Sequence, residues 1–223
     1  MIYVVSILGV NIFTDKALVW DYIENYTQLD DLLELARQHS IEYGLKPISP
    51  SAGSTLRLLV STTKAKAVAE IGTGTGSSGL WILRGLTNGG MLTTIDYESH
   101  CQSIAKKIFE KAGYKSNTVR IINDRALNVL PRMAKNAYDI VVIDGKVDET
   151  IYYYEYSKQM VRPGGLIVVL HSLHNGKVAD PAMRDRDTIC MRELLKTISK
   201  DEEVVSTLIG NDDGMTVCMK VLQ

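Results

Sequence analysis

Short apolar runs alternate with amphipathic stretches over most of the chain, and this alternation predicts strands separated by helices. One amphipathic stretch, 98–113, ends at a glycine, as helices commonly do. Repeated strand–helix units form a parallel sheet that helices cover on both faces. The predicted strands begin at Val68 and continue with 91–96, 119–122, 138–144 and 163–170.

The two ends of the chain depart from this repeat. Two further strands, 204–209 and 215–221, flank the turn residues 210–214, and so short a link pairs them antiparallel. Near the other end, 16–43 has apolar residues at helical spacing and predicts two helices that cap the sheet.

Two prolines predict a defined connection after these helices. Pro47 and Pro50 lie in 44–53, and each disfavours helical geometry in the residue before it. Ser51 is expected to cap the helix that follows.

A tyrosine cluster lies in the helix predicted over 149–160. Tyr152 and Tyr156 share one face at i, i+4 spacing and are expected to pack on the sheet, which leaves Tyr153 or Tyr154 facing solvent or a partner subunit.

The apolar segment 1–13 imitates a targeting sequence. It lacks a basic start and a small-residue cleavage site, and it is shorter than the ~20 residues that span a bilayer. We therefore expect a packed or frayed N-terminal extension rather than a signal peptide.

Composition fits one cytoplasmic domain. The chain has 223 residues, of which 45% are hydrophobic, enough for a single α/β domain over 1–223, with 1–50 as extension and cap helices and 51–223 as its core. Its 25 Lys and Arg against 26 Asp and Glu give no overall electrostatic case for binding nucleic acid or a membrane. Three widely spaced cysteines favour reduced thiols over disulfides or a zinc site.

The glycine-rich turn after the first of these parallel strands is the main functional signal. Gly74–Gly79 satisfies the dinucleotide pattern G-x-G-x-x-G, so NAD is one candidate ligand for this turn. Glu70 at the strand end argues against it, because its carboxylate would repel a pyrophosphate. S-adenosylmethionine carries an ammonium and a sulfonium instead, so Glu70 is expected to accept from the amino group and Asp96 from the ribose hydroxyls. The alternative is that the glycines only permit a tight turn.

Specific segments from about Ala36 to the C-terminus resemble the bacterial class I O-methyltransferases related to catechol and caffeoyl-CoA O-methyltransferases, in particular an actinobacterial subgroup. The segments that carry the resemblance are 70-EIGTGTGSSGLW-81, 93-TTID-96, 125-RAL-127 with Leu130-Pro131, 138-YDIVVID-144, 163-PGG-165 and 176-GKVADP-181.

This resemblance implies a Rossmann-like, doubly wound sheet of seven strands with the last strand antiparallel. It also implies a homodimer and a small acceptor molecule with a hydroxyl group. The residues expected to line the site of the methyl donor, S-adenosylmethionine, are Ile48, Glu70, Gly72, Thr73, Gly74, Ser78, Asp96, Ala126 and Asp144.

The chain departs from the family at the metal. Metal-dependent relatives hold Mg²⁺ with an acid after the fourth strand and an Asp-Asn pair after the fifth. Asp144 matches the first ligand, but Leu170 and His171 occupy the positions of the pair, and a leucine supplies no oxygen. Val147 stands where relatives have a lysine. We therefore expect a metal-independent site in which Lys146, on the same side as Asp144, neutralises its carboxylate.

Three side chains are candidates for handling the acceptor's proton: His171, His174 and Lys146. Histidine titrates near neutral pH, so His171 is the hypothesis for the base, and Lys146 is an electrostatic group. Two alternatives stay open: both histidines fill space in a loop, or they join Asp144 around a softer metal such as zinc.

Two classes of function follow from these readings. The first is an S-adenosylmethionine-dependent O-methyltransferase that acts on a hydroxylated, aromatic small molecule. The second is a donor-binding protein whose acceptor site has eroded at Leu170 and Val147. Methylation of a hydroxylated tRNA base is a variant of the first, and the near-neutral charge disfavours it.

Overall fold

A computed structural model describes residues 15–221 in full and the main chain of 5–7 and 10–12. Most of the predicted extension 1–13 therefore lies outside the described residues. Strands β1 (Val5–Ile7) and β2 (Val10–Ile12) pair antiparallel with each other and form a two-stranded sheet of their own. Within the described part of the chain, no helix is both long and apolar enough to cross a bilayer.

The central sheet has seven strands, and its order is β5-β4-β3-β6-β7-β9-β8. Neighbouring strands are parallel except at β9, which runs antiparallel to β7 and β8. The doubly wound sheet with an antiparallel last strand is thus confirmed. The strands are β3 (Ala67–Ile71), β4 (Met91–Asp96), β5 (Val119–Asn123), β6 (Tyr138–Ile143), β7 (Val161–Val169), β8 (Val204–Ile209) and β9 (Met215–Lys220).

Helices cover both faces of this sheet, as the strand–helix alternation predicts. They are α1 (Lys16–Tyr26), α2 (Asp31–Glu42), α3 (Pro50–Thr62), α4 (Ser77–Gly85), α5 (Ser99–Lys111), α6 (Ala126–Val129), α7 (Thr150–Met160) and α8 (Arg186–Lys200). Short 3₁₀ turns span Leu130–Arg132, Val147–Glu149 and Lys177–Ala179. Buried residues of α2 to α5 form one apolar cluster with the sheet, and those of α6 to α8 form the other.

Helix α3 begins earlier than expected. Ser49, not Ser51, is its N-cap, and the Ser49 hydroxyl accepts a hydrogen bond from the main-chain N–H of Ala52. Pro50 occupies the first helical position, where its missing N–H costs no hydrogen bond and its fixed φ suits the helix. The proline therefore starts this helix rather than delaying it.

The tyrosine prediction for α7 is wrong. Tyr153 and Tyr154 are buried, whereas Tyr152 is 57% exposed. The hydroxyl of Tyr153 donates to Glu149 and that of Tyr154 to Asp201, so both buried rings have a partner for their polar end.

The glycine turn brings β3 against the end of β6. Gly72 has a φ of +98°, and a Cβ atom there would lie 2.1 Å from the main-chain oxygen of Asp144. Only glycine permits both the conformation and the close approach. The glycine turn therefore lies directly against Asp144, the residue that follows β6.

Candidate functional site

Two adjoining cavities lie at the carboxyl edge of strands β3, β4 and β6. Gly72, Gly74, Asp96 and Asp144 line both of them. Ligands of open α/β sheets bind at this edge, where the strand order reverses. One cavity, called here the inner compartment, is lined by Ser40, Leu45, Lys46, Pro47, Ile48, Gly72, Thr73, Gly74, Thr75, Ser77, Ser78, Asp96, Asp144 and His171. The other, the outer compartment, extends past Tyr97, Cys101, Ala126 and Lys146 to Glu149 and Tyr153.

Asp96 stands where the two compartments meet. Its Oδ2 accepts from the N–H of Gly74 at 2.9 Å, and its Oδ1 accepts from the N–H of Glu98 at 3.0 Å. A carboxylate has about four lone-pair sites, so lone pairs remain for a ligand diol. The main chain thus fixes this acid at the cavity wall.

Glu70 is placed differently from what the sequence suggests. Its side chain is fully buried, and its two oxygens accept from the hydroxyls of Ser78 and Thr94 at 2.7 Å each. It lines neither compartment and lies behind the glycine turn. Burial raises its pKa to about 7, and the two hydroxyl hydrogen bonds only partly oppose the shift. Its contact with a donor amino group stays a prediction.

The other residues expected at the donor site do line the cavities. Ile48, Thr73 and Ser78 belong to the inner compartment and Ala126 to the outer one. The two compartments thus include eight of the nine residues that the sequence predicts at the donor site, all except Glu70.

His171 lies between two acids. Its Nε2 is 3.7 Å from Oδ1 of Asp144, and its Nδ1 is 3.7 Å from Oδ2 of Asp212. Both ring nitrogens are buried and have no hydrogen-bond partner among the described residues. A separation of 3.7 Å is too long for a hydrogen bond, so both ring nitrogens can still pair with a polar group of a bound molecule.

Burial and neighbouring charges determine the protonation states of Asp144 and His171. Burial raises the pKa of Asp144 well above its usual value, and the nearby acids Glu70, Asp212 and Asp96 raise it further. Burial lowers the pKa of His171, although Asp212 opposes the shift. The imidazole is therefore neutral near pH 7 and able to accept a proton.

The expected partner of Asp144 is wrong. The Lys146 ammonium lies 5.3 Å from the centre of the Tyr97 ring, in the outer compartment. The cation that lowers the pKa of Asp144 is Lys46, from the connection between α2 and α3. Lys46 donates to Asp213 and Asn175 at 2.7 Å each and shares the inner compartment with Asp144.

His174 does not join this site. It lines neither compartment, and its Nε2 lies 3.8 Å from Oδ1 of Asp185. No group of three or more His, Cys, Asp or Glu side chains within the described residues is arranged to hold a metal ion. Leu170, at the position of a family ligand, is buried and offers no oxygen. Leu170 therefore cannot act as an oxygen ligand, and His174 contacts Asp185 instead of joining Asp144 and His171; that the site works without a metal stays a prediction.

Sequence reasoning missed Lys46, Asp212 and Asp213. Asp212 and Asp213 read as turn residues between two strands, and Lys46 reads as part of a proline loop. The one sequence feature that could have drawn attention to Asp212 and Asp213 is that two adjacent acids occupy so short a turn. Nothing local showed that the turn meets the loop, because they are more than 160 residues apart.

Comparison with known proteins gives a consistent result. The sequence profile of the O-methyltransferase family matches residues 22–221. A relative from Mycobacterium avium (strain 104), whose name assigns it provisionally to the O-methyltransferases, is 38% identical over 192 residues, which are 86% of each chain.

Solved structures agree with the fold. The crystal structure of a Corynebacterium glutamicum protein superposes with a TM-score of 0.86 and 30% identity, covering 94% of this chain and 99% of that one. The O-methyltransferase TomG from Streptomyces achromogenes, involved in tomaymycin synthesis and solved in complex with S-adenosylmethionine, gives a TM-score of 0.82 and 27% identity over 92% of this chain and 96% of that one.

Proposed function

The chain belongs to the O-methyltransferase family, and we propose that this S-adenosylmethionine-dependent methyltransferase modifies a hydroxyl group of a small aromatic acceptor without the Mg²⁺ site of its relatives. The observation that carries the proposal is His171, an imidazole whose lowered pKa keeps it neutral near pH 7 and whose two ring nitrogens have no hydrogen-bond partner among the described residues. Such a group can remove the proton that a metal-bound acceptor would lose.

The residues present fit the methyl donor. Burial raises the pKa of Glu70 and of Asp144, and the neighbouring charge of Asp96 raises both further, so a cation bound beside these acids would relieve the repulsion between them. The ammonium and sulfonium of S-adenosylmethionine are such cations. When bound, S-adenosylmethionine supplies a methyl group that an acceptor oxygen can attack.

The chain's own residues then hold and prepare the reactants. We assign Asp96, which lines both compartments, to the ribose hydroxyls, while Ile48 and the glycine turn line the inner compartment. His171 accepts the acceptor's hydroxyl proton at a ring nitrogen, and the charge of Asp212, 3.7 Å from the other ring nitrogen, favours the resulting imidazolium. Most of the rate enhancement is expected from this positioning.

Charge and cysteine content support the proposed acceptor and cellular location. A formal net charge of -1 favours a small molecule over tRNA. A homodimer and a cytoplasmic location are proposed from the family resemblance and the reduced cysteines.

A single assay series tests the proposal. The purified chain is supplied with S-adenosylmethionine and a panel of catechols and other phenols, with and without EDTA, and methyl transfer is measured by mass spectrometry. We expect transfer that EDTA does not change. Activity that EDTA abolishes and Mg²⁺ restores would refute the metal-free site. Tight donor binding with no transfer to any acceptor would support the alternative of a donor-binding protein.

A further inference from the structure

The Lys46 ammonium is held in the inner compartment by two oxygen atoms. It donates to Oδ2 of Asp213 and to Oδ1 of Asn175, both at 2.7 Å. A lysine ammonium has three N–H donors, so one remains after these two bonds. Lys46 lines the compartment together with Asp144 and His171, so this donor is available to a molecule bound there.

The anchor of Lys46 is rigid. Asp213 is only 7% exposed, and its carboxylate also accepts from the N–H groups of Asn175 at 2.8 Å and Gly176 at 3.3 Å. Asn175 has a φ of +57°, in the left-handed region that asparagine tolerates better than most residues, and its side chain accepts the second hydrogen bond from Lys46. The ammonium is therefore held by a buried carboxylate, while the Lys46 side chain itself is 43% exposed.

The charge of Lys46 also acts on both groups beside the acceptor position. It opposes the rise in the pKa of Asp144 and adds to the fall in the pKa of His171. An acceptor oxygen bound in the inner compartment beside Asp144 and His171 would lie in the same field.

On the basis of the proposed function, we infer that Lys46 is a further catalytic residue, whose ammonium stabilises the negative charge on the acceptor oxygen and so takes the place of the relatives' metal ion. The hydroxyl proton passes to His171, the oxygen–methyl bond forms, and the sulfur–methyl bond breaks with its electron pair left on sulfur. A single positive charge stabilises an oxyanion less than a divalent ion does. The acceptor is therefore an acidic hydroxyl of the phenol class, whose pKa is near 10, rather than an aliphatic alcohol.

The test uses the full chain loaded with S-adenosylhomocysteine, the product form of the donor, and 4-nitrocatechol as the probe. The phenolate of this probe absorbs at longer wavelength than the phenol, so its bound pKa is read directly. We expect the wild-type complex to raise the phenolate-to-phenol ratio about tenfold over free probe, as a charge-assisted hydrogen bond would. Lys46→Met should lose this shift, and Lys46→Arg should keep most of it.

Two further variants guard against a folding effect. Asp213→Asn keeps the ammonium but loosens its anchor, so an intermediate shift is expected. Lys107→Met, on the exposed face of α5, should behave as wild type. Affinity for S-adenosylhomocysteine, measured by calorimetry, should stay within about twofold in all variants.

Each other outcome overturns the inference. An unchanged probe shift in Lys46→Met, or no shift in the wild-type complex, would show that Lys46 does not face the acceptor oxygen. Weaker S-adenosylhomocysteine binding with an unchanged shift would assign Lys46 to the donor instead. A wild-type chain that binds no S-adenosylhomocysteine at all would refute the proposed function itself.

Discussion

Glu70 provides a direct measure of how this site handles buried charge. The carboxyl is fully buried, and its pKa is raised to about 7 from an ordinary value of 4.5, first by burial and further by the charge of Asp96. The folded state therefore holds the proton more tightly than the unfolded state does. The free energy of unfolding consequently falls as pH rises from 4.5 through 7.

The magnitude follows from the shift. Each pKa unit corresponds to ~1.4 kcal/mol, so a charged Glu70 costs about 3 kcal/mol of stability at alkaline pH. About 2 kcal/mol of that cost develops between pH 5.5 and 8.5, because the unfolded carboxyl has already lost most of its proton at pH 5.5. Glu70→Gln removes the charge and still offers polar atoms to Ser78 and Thr94.

The assay is urea unfolding of the unliganded protein at pH 5.5 and 8.5. We compare the free energy of unfolding of Glu70→Gln with that of wild type at each pH. This difference should shift by about 2 kcal/mol in favour of the variant between pH 5.5 and pH 8.5. Glu202→Gln, an exposed carboxyl in the turn before β8, serves as the control and should show no such change. A stability difference that is the same at both pH values would refute the reasoning.

Three further predictions concern the site and the turn that builds it. Asp96→Ala should weaken donor binding by about 1–3 kcal/mol through lost hydrogen bonds, and an unchanged affinity in calorimetry would misplace the donor. His171→Gln should lower kcat by about 10²–10⁴-fold with little change in donor affinity. As the pH is lowered, wild-type activity should persist below pH ~6.5, because the pKa of His171 is lowered. Activity that is already lost before the falling pH reaches ~6.5 would contradict a buried neutral base. Gly72→Ala should destabilise the fold by at least about 3 kcal/mol in urea unfolding, since its Cβ would overlap the Asp144 oxygen; a smaller loss would mean that the turn can relax.

The prediction of the fold succeeded because its signals are local. Apolar periodicity and turn residues place the strands within one or two residues of those in the structure, and the short link at 210–214 allows only the antiparallel pairing seen between β8 and β9. The start of α3 was misplaced because Ser49 and Ser51 are both good caps, and the choice depends on where Pro50 enters the helix.

The donor half of the site was accessible for a related reason. Parallel strands end at one edge of the sheet, so an acid that closes one strand must approach the glycine turn that follows its neighbour. Asp96 and Gly74 meet there by a hydrogen bond of 2.9 Å. Glu70 escaped this logic, because alternation along a strand turns its side chain to one face, and packing decided that it points at Ser78 and Thr94.

The sequence by itself determined the sheet, the glycine turn and the acids at the strand ends. Only the tertiary structure decided which cation acts on the pKa of Asp144. Lys146 is the neighbour in sequence, but its ammonium lies over Tyr97, while Lys46 arrives from a loop about a hundred residues earlier and is fixed by Asp213. The reason is geometric: contacts between distant loops depend on how the whole sheet brings its edges together, and no local pattern encodes that distance.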